Sequence, residues 1–437
     1  MSSRHMSGPM RVSLTAVLLI CLEAGAWSDR TVPSLPEVAI PSSYFGLHLE
    51  RAVPTARFPQ PSIWPDRGFS QWRLWDAGVS WPQLEPARGD WHFDLLDRYV
   101  TLADTHRVDI LLPLALSPSW ASARPQERSA YGLGNAAEPR DVADWRLYVR
   151  SVATRYRGRI HQYEIWNEPN LPQFFTGDVR AMVTLVAAAD SILKEVDVAN
   201  ILVSPAPTTY DGLRWLDAFL EAGGGRYVDV IGYHFYVSPR PPEAMGPLID
   251  SVHALLERHD LNDHPLWNTE TGWFIANHES QVGPVGTGSA FRAKILTDNE
   301  ASAYVARAFV VGRAHELARF YWYAWDDQVM GLTEADGQTE KAPAKAFGTI
   351  QEWLVGFQIL SCRPDSAGVW VAKLLSAGAR KAWLVWRSQG STTFRIPANW
   401  GVNRVRDLQG GSRFVSGPTR HDSISVGEAP VLLDAVL

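Results

Sequence analysis

Cysteine is almost missing from this sequence. Cys21 and Cys362 are the two cysteines among 437 residues, and Cys21 lies in an apolar N-terminal segment. If that segment is removed after Ala26, the mature chain has one cysteine and no intramolecular disulfide. The fold must then be stabilised by packing, for which a hydrophobic content of 46% in a chain of this length is ample.

An excess of basic residues is also missing. The 41 Lys and Arg residues are outnumbered by 47 Asp and Glu residues, the net charge is -6, and no dense basic run occurs. The sequence therefore lacks the charge pattern of a nucleic-acid-binding protein, and we expect no nucleic-acid partner. Walker loops, nucleophile elbows, dinucleotide fingerprints and convincing metal-ligand sets are missing in suitable contexts, so we expect no cofactor and no metal.

The N-terminal segment, residues 1–26, has the features of an export signal. Arg4 and Arg11 lie before an apolar run that extends from Val12 to Leu22, and small residues end the segment at Ala26. The run is short for a membrane span, although an uncleaved anchor is the alternative interpretation. We predict a periplasmic or extracellular protein with no stable membrane insertion after cleavage. Residues 27–42 then form an N-terminal extension.

Short apolar segments alternate with longer amphipathic ones over residues 43–357. This alternation is typical of an α/β fold with a parallel sheet, and eight strands fit a (β/α)8 TIM barrel. Prolines exclude a regular helix from most of Arg51–Phe69, between the first two strands. The predicted strands are Tyr44–Leu49, Trp72–Trp75, Val108–Leu116, Ile160–Trp166, Ile201–Pro205, Val228–Tyr236, Leu266–Thr269 and Phe320–Trp325.

Residues 358–437 have a different pattern. Short apolar runs are separated there by Gly, Ser, Asn and Pro, which predicts a small C-terminal antiparallel β-sandwich domain. Two further segments are loop-like by composition, Ser117–Pro139 after the third strand and Asn277–Ala290 after the seventh. Both follow strands, so both would lie on the face of a barrel that carries functional sites.

Two glutamates end predicted strands. Glu168 lies in the sequence Trp166-Asn167-Glu168-Pro169-Asn170 after the fourth strand, and Glu270 ends the seventh. A closed barrel brings the carboxyl ends of both strands to one cavity. Two facing carboxyl groups suit the cleavage of glycosidic bonds, because one protonates the leaving oxygen and the other attacks the anomeric carbon or activates water.

On these residues the chain resembles the clan A retaining glycoside hydrolases, most nearly family 39 and its exopolysaccharide-cleaving endoglycosidases. The resemblance implies that Glu168 is the general acid/base, that Glu270 is the nucleophile, and that Asn167 hydrogen-bonds a sugar hydroxyl. It further implies that Arg73 holds the nucleophile as an anion and that Tyr236, in His234-Phe235-Tyr236, hydrogen-bonds it. Trp325 would lie under the reacting sugar.

Tryptophan is abundant, with 19 residues against 16 Phe and 13 Tyr. Four of them besides Trp325 lie near predicted strand ends, namely Trp75, Trp120, Trp166 and Trp273. Indole faces can bind the C–H face of a pyranose, so these residues are candidate subsite walls, with core packing as the alternative.

The sequence therefore predicts an exported retaining β-glycosidase that acts on a carbohydrate, with endo action on a polysaccharide, such as a bacterial exopolysaccharide, as the favoured mode. Two alternatives stay open at this point. The barrel could bind polysaccharide without cleaving it, as an accessory protein, or the same glutamates could catalyse transglycosylation. Sequence does not determine the oligomeric state.

Overall fold

Eight parallel strands form the first part of the fold. The computed structural model describes residues 39–278, 294–415 and 422–435, so the predicted signal segment 1–26 lies outside the described residues. The strands pair in the order β5-β4-β3-β2-β1-β8-β7-β6, and bridges such as Val203 to Val230 bring β5 beside β6. Their bounds are β1 Phe45–His48, β2 Gln71–Arg73, β3 Asp109–Leu114, β4 Gln162–Ile165, β5 Ile201–Val203, β6 Ile231–Tyr233, β7 Leu266–Thr271 and β8 Arg319–Trp322. The predicted barrel is confirmed.

Helices connect most of these strands and cover the outside of the barrel. No helix forms between β1 and β2, as the prolines of that segment predict. Side-chain caps fix several helix starts, and Thr297 and Glu300 form a capping box at the start of α7. The helices are α1 Trp81–Leu84, α2 Asp94–His106, α3 Val142–Arg155, α4 Val179–Val196, α5 Gly212–Glu221, α6 Met245–Arg258, α7 Asp298–Ala314 and α8 Ala342–Leu354.

The C-terminal β-domain consists of two antiparallel sheets. A six-stranded sheet has the order β14-β13-β16-β11-β10-β9, and β12 pairs with β15. Apolar residues of both sheets form a second hydrophobic cluster. The strands are β9 Phe357–Pro364, β10 Val369–Ser376, β11 Lys381–Arg387, β12 Thr392–Arg395, β13 Arg404–Arg406, β14 Ser412–Phe414, β15 Ser423–Val426 and β16 Val431–Asp434. The predicted antiparallel domain is thus confirmed.

A buried ion pair joins the barrel to the β-domain. Glu243 accepts hydrogen bonds from Arg307 Nε at 2.7 Å and from Trp386 Nε1 at 2.6 Å. Arg307 lies on α7 and Trp386 on β11, so one carboxylate connects an outer helix of the barrel with the six-stranded sheet. Arg307 has no exposed surface, which makes its pairing with Glu243 necessary for stability.

Across the described ranges, the helices are all too short or too polar to cross a lipid bilayer.

Candidate active site

The barrel brings the predicted site residues together at the carboxyl ends of its strands. Arg73 is the last residue of β2, and Glu270 lies near the end of β7. Asn167 and Glu168 follow β4, and His234 follows β6. In parallel barrels this end carries the catalytic groups, because loops there can vary without disturbing the core.

Arg73 is the centre of this site. Its guanidinium donates from Nε to Glu164 Oε2 at 2.6 Å, from Nη1 to Glu270 Oε2 at 2.8 Å, and from Nη2 to Asn167 Oδ1 at 2.7 Å. The Arg73 side chain has no exposed surface, so three acceptors satisfy a fully buried cation.

The two glutamates face each other with different partners. Glu270 accepts a second hydrogen bond from the Tyr236 hydroxyl at 3.0 Å, in addition to that from Arg73. Glu168 Oε1 lies 3.1 Å from His234 Nδ1. One oxygen of each carboxyl group and one ring nitrogen of His234 all lie within 4.8 Å of one another. Nearest oxygens this close are compatible with the roughly 5–5.5 Å carboxyl separation of retaining glycosidases, whereas inverting enzymes need roughly 6.5–9.5 Å.

A strained turn after β4 positions Glu168. Trp166 and Glu168 both have positive φ angles, 65° and 44°, which non-glycine residues rarely adopt. Backbone hydrogen bonds hold the turn on both sides: Trp166 donates to the Leu114 carbonyl and Glu168 donates to the Ala206 carbonyl, each at 3.0 Å. Such strain persists where the surrounding structure enforces it, and it is common at functional sites.

Burial sets the protonation of the pair. It raises the pKa of Glu168 to about 7 and that of Glu270 also to about 7. Because the groups are close, ionising one makes the second harder to ionise, so the pair retains one proton around neutral pH. Arg73 and Tyr236 both donate to Glu270 and favour its anion. Of the two carboxyl groups, Glu270 thus has the two hydrogen-bond donors that favour the ionised form.

His234 is neutral at this pH. Burial lowers its pKa to about 4, and its side chain has no exposed surface. A neutral imidazole nitrogen can donate to the Glu168 carboxylate or accept from the Glu168 carboxylic acid, depending on the tautomer. His234 can thus hold Glu168 in one position in both of its protonation states.

In the described part of the chain, the cluster that could hold a metal ion is this same trio, Glu168, His234 and Glu270. Glu270 is already paired with Arg73, whose Nη1 lies 2.8 Å from Glu270 Oε2. A metal ion bound to that oxygen would lie against the positively charged guanidinium. The residues therefore suit proton transfer and nucleophilic attack better than metal binding. That no cofactor is needed remains a prediction.

A cavity of about 350 Å³ lies at the carboxyl ends of the barrel strands, and neither Glu168 nor Glu270 lines it. Sequence reasoning missed most of its polar residues. Glu50, Asp76 and Asp327 line it together with Tyr131 and Tyr323. Asp76 accepts hydrogen bonds from the Tyr131 hydroxyl at 2.7 Å and the Tyr323 hydroxyl at 3.1 Å. Burial, with Asp76 and Asp327 nearby, raises the pKa of Glu50 well above its usual range. Carboxyl and hydroxyl groups of this kind suit the recognition of sugar hydroxyls.

The tryptophans lie deeper than predicted. Trp166 and Trp273 have no exposed surface, and their indole nitrogens donate to the backbone carbonyls of Phe174 and Arg240. The interpretation of these two as open sugar-binding walls is therefore wrong, because both are fully enclosed by core side chains. Trp325 is 2% exposed and donates to the Ile63 carbonyl. Trp120 is half-buried and packs edge-to-face on another indole.

This chain is similar to known glycoside hydrolases. Residues 156–334 match the family model described as the glycosyl hydrolase catalytic core. A β-xylosidase of Geobacillus stearothermophilus is 24% identical over 237 residues, which are 48% of this chain and 46% of that enzyme. The match thus spans about half of the length of that relative.

Solved structures share the fold over nearly the whole chain. A family 39 glycoside hydrolase from Bacteroides cellulosilyticus WH2 superposes with a TM-score of 0.70 at 18% identity, covering 91% of this chain and 81% of that one. A glucosidase from Croceicoccus marinus superposes with a TM-score of 0.64 at 17% identity, covering 92% of this chain and 98% of that one.

Proposed function

We propose, on the premise that this chain is a clan A glycoside hydrolase most like family 39, that it hydrolyses β-glycosidic bonds with retention of configuration. The observation that carries the proposal is the pair of strand-end glutamates with oxygens within 4.8 Å of each other and unlike partners. A binding protein has no need of two buried carboxyl groups at this spacing. An accessory role without catalysis therefore explains less of the site.

The first step forms a covalent glycosyl-enzyme. Glu270, kept ionised by Arg73 and Tyr236, attacks the anomeric carbon, and the bond from that carbon to the leaving oxygen breaks. Glu168, which holds the proton of the pair, transfers it to the leaving oxygen as the bond breaks. Asn167 is fixed by Arg73 Nη2 at 2.7 Å, which leaves its amide NH2 free to donate to a sugar hydroxyl.

The second step releases the sugar. Glu168, now ionised, takes a proton from water, and the water oxygen attacks the anomeric carbon and displaces Glu270. Each step inverts the anomeric carbon, so the two together retain the β configuration. A sugar hydroxyl in place of water would give transglycosylation by the same residues, and product length at high acceptor concentration distinguishes the two outcomes.

The substrate in this proposal is a polysaccharide or oligosaccharide. The cavity at the same end of the barrel as the glutamates offers carboxyl and tyrosine hydroxyl groups to one or more sugar units. A β-xyloside is the first substrate to try, given the matched Geobacillus stearothermophilus enzyme. We further propose endo action on an exopolysaccharide outside the cytoplasm, as the family resemblance and the N-terminal segment 1–26 suggest. A mixture of oligosaccharides and an early fall in viscosity would support endo action.

Azide rescue tests the two roles separately. The assay uses a panel of activated aryl β-glycosides that includes the β-xyloside. Glu270→Ala with azide should form an α-glycosyl azide, because azide displaces the aryl group directly. Glu168→Ala with azide should form the β-glycosyl azide, because azide intercepts the glycosyl-enzyme.

Glu164→Ala is the matched control for the rescue. Glu164 belongs to the same Arg73 cluster, but its side chain has no exposed surface and cannot reach a sugar. We expect no glycosyl azide from this variant. Exchange of the two anomers between the Glu270 and Glu168 variants would reverse the assignment. A full substrate panel that yields binding without new reducing ends would favour the accessory role.

A further inference from the structure

A second cavity, of about 360 Å³, lies on the C-terminal β-domain. Residues of β9, β10 and β11 line it, together with the short segment around Trp400. None of its lining residues belongs to the barrel. We call it the β-domain groove, and its charged and aromatic members are Arg363, Lys373, Lys381, Trp383 and Trp400.

Strand register places these side chains on one face of the sheet. Lys373 of β10 is directly opposite Ser361 of β9 and Trp383 of β11. Successive side chains on a strand point to opposite faces, so residues two apart share a face. Arg363 lies two residues after Ser361, and Lys381 two before Trp383. The three cations therefore surround one indole on a common surface.

Within the residues that the structure describes, the cations of the groove have no anionic partner. In the described ranges, no hydrogen bond or ion pair engages the side chains of Arg363, Lys373 or Lys381. Asp365 is the one acidic residue that lines the groove, and its Oδ1 accepts from the backbone amides of Ala367 and Val369 at 2.8 and 2.9 Å. The groove is thus locally positive on a chain whose net charge is -6. A positive patch on an acidic protein attracts an anionic ligand.

An aromatic platform completes the groove. Trp400 stacks on Trp383 with ring centroids 4.5 Å apart and planes 2° apart. Trp383 is buried, whereas Trp400 is half-buried and reaches the cavity. The pairing holds the Trp400 ring rigid, which makes it a low-entropy contact for the C–H face of a pyranose.

We propose that the β-domain groove binds a segment of an acidic polysaccharide, with Arg363, Lys373 and Lys381 pairing with uronate carboxylates and Trp400 packing on a sugar ring. This site goes beyond the glycosidase activity, and its occupation does not depend on the two glutamates. Binding there would hold the enzyme on an acidic matrix while the barrel acts on it.

Isothermal titration of the full chain with polygalacturonate tests the proposal. All proteins carry Glu270→Gln, so that the result does not depend on turnover. Lys373→Glu/Lys381→Glu should weaken binding by about tenfold or more, since each reversal replaces an attraction with a repulsion. Trp400→Ala should weaken it as well. Raising NaCl from about 0.05 to about 0.5 M should weaken the parent complex, because the screening length shortens.

The matched control is Arg395→Glu/Arg413→Glu. Both arginines are exposed on the same domain and do not line the groove, and the change in net charge is the same. This control should bind polygalacturonate nearly as the parent does. Lys381→Gln changes a single exposed residue. Together with an unfolding curve for every variant, it excludes misfolding as the cause of weaker binding.

Three results would overturn the proposal. The groove variants could bind polygalacturonate as tightly as the parent. The Arg395→Glu/Arg413→Glu control could lose as much affinity as they do, which would indicate net charge rather than the groove. Binding of duplex DNA or of a neutral β-xylan could be weakened by the same groove substitutions, which would assign the groove to a different ligand class. Failure of azide rescue at Glu270 or Glu168 would leave this test unaffected.

Discussion

The Tyr236 hydroxyl offers the sharpest perturbation of the nucleophile. It donates to Glu270 Oε1 at 3.0 Å, while Arg73 donates to the other carboxylate oxygen. Both bonds favour the ionised form of Glu270. Tyr236→Phe removes one of them and keeps the ring, so burial, which is the main cause of the raised pKa of Glu270, is nearly unchanged.

The size of the effect follows from the bond that is lost. A hydrogen bond to a charged group contributes about 1.5–3 kcal/mol, and one pKa unit corresponds to about 1.4 kcal/mol. Partial replacement by water leaves a shift of about one unit. Because removal of the donor disfavours the anion, the pKa of Glu270 rises further, and the acidic limb of the kcat/KM profile moves to higher pH. Below that limb the rate should fall by about tenfold.

The pH dependence of kcat/KM on an aryl glycoside is the assay. Tyr156→Phe is the matched control, because the Tyr156 hydroxyl also donates to a carboxylate, that of Asp97 at 2.8 Å, away from the glutamate pair. It should leave the profile in place. An unshifted acidic limb in Tyr236→Phe, with an equal loss of rate at every pH, would refute the idea that this hydroxyl sets the ionisation of Glu270.

Two predictions concern stability, measured by urea unfolding. Burial raises the pKa of Glu168 to about 7, so ionisation of this carboxyl group destabilises the fold as the pH rises towards and through that value. Glu168→Gln removes the charge. It should therefore stabilise the protein by up to about 3 kcal/mol at pH 8 and by much less at pH 5. Equal effects at both values would contradict the raised pKa. Glu243→Ala leaves Arg307 buried without its partner and should cost about 3–5 kcal/mol. Glu195→Ala breaks the exposed pair with Arg150 and should change the stability little. Similar losses would mean that the Glu243 pair does not brace the β-domain.

Strand-end residues could be predicted from sequence because the chain order of a barrel fixes where they lie. Asn167, Glu168 and Glu270 each follow or end an apolar run, and parallel strands bring such ends together. Arg73 and His234 were predicted from the resemblance to the clan A glycoside hydrolases. These residues form the central polar cluster of the site.

Residues whose position depends on loops could not be predicted. Asp76 and Tyr131 meet across 55 residues of chain, at a distance of 2.7 Å, through a loop with no periodic pattern. Glu164 lies inside the barrel by strand alternation, yet only the structure pairs it with Arg73. The loop-like segment Asn277–Ala290 lies outside the described residues from position 279 onward.

The prediction that Trp166 and Trp273 form sugar-binding walls was wrong because sequence does not show which way a side chain near a strand end points. Trp166 and Trp273 lie next to the site in sequence, but their side chains point into the core and pack on other aromatic rings. In the structure, α8 ends at Leu354 and β9 begins at Phe357. Gly356, with a φ of 82°, lies between them and turns the chain into β9.

The stereochemistry of hydrolysis tests the central claim most directly. Proton NMR of the products, recorded within the first minutes of cleavage of an aryl β-glycoside, distinguishes the two anomers before they interconvert. Two displacements through Glu270 predict that the β anomer forms first and that the α anomer grows in slowly by mutarotation. Initial formation of the α anomer would contradict the account, since it would mean that water, and not Glu270, attacks the anomeric carbon.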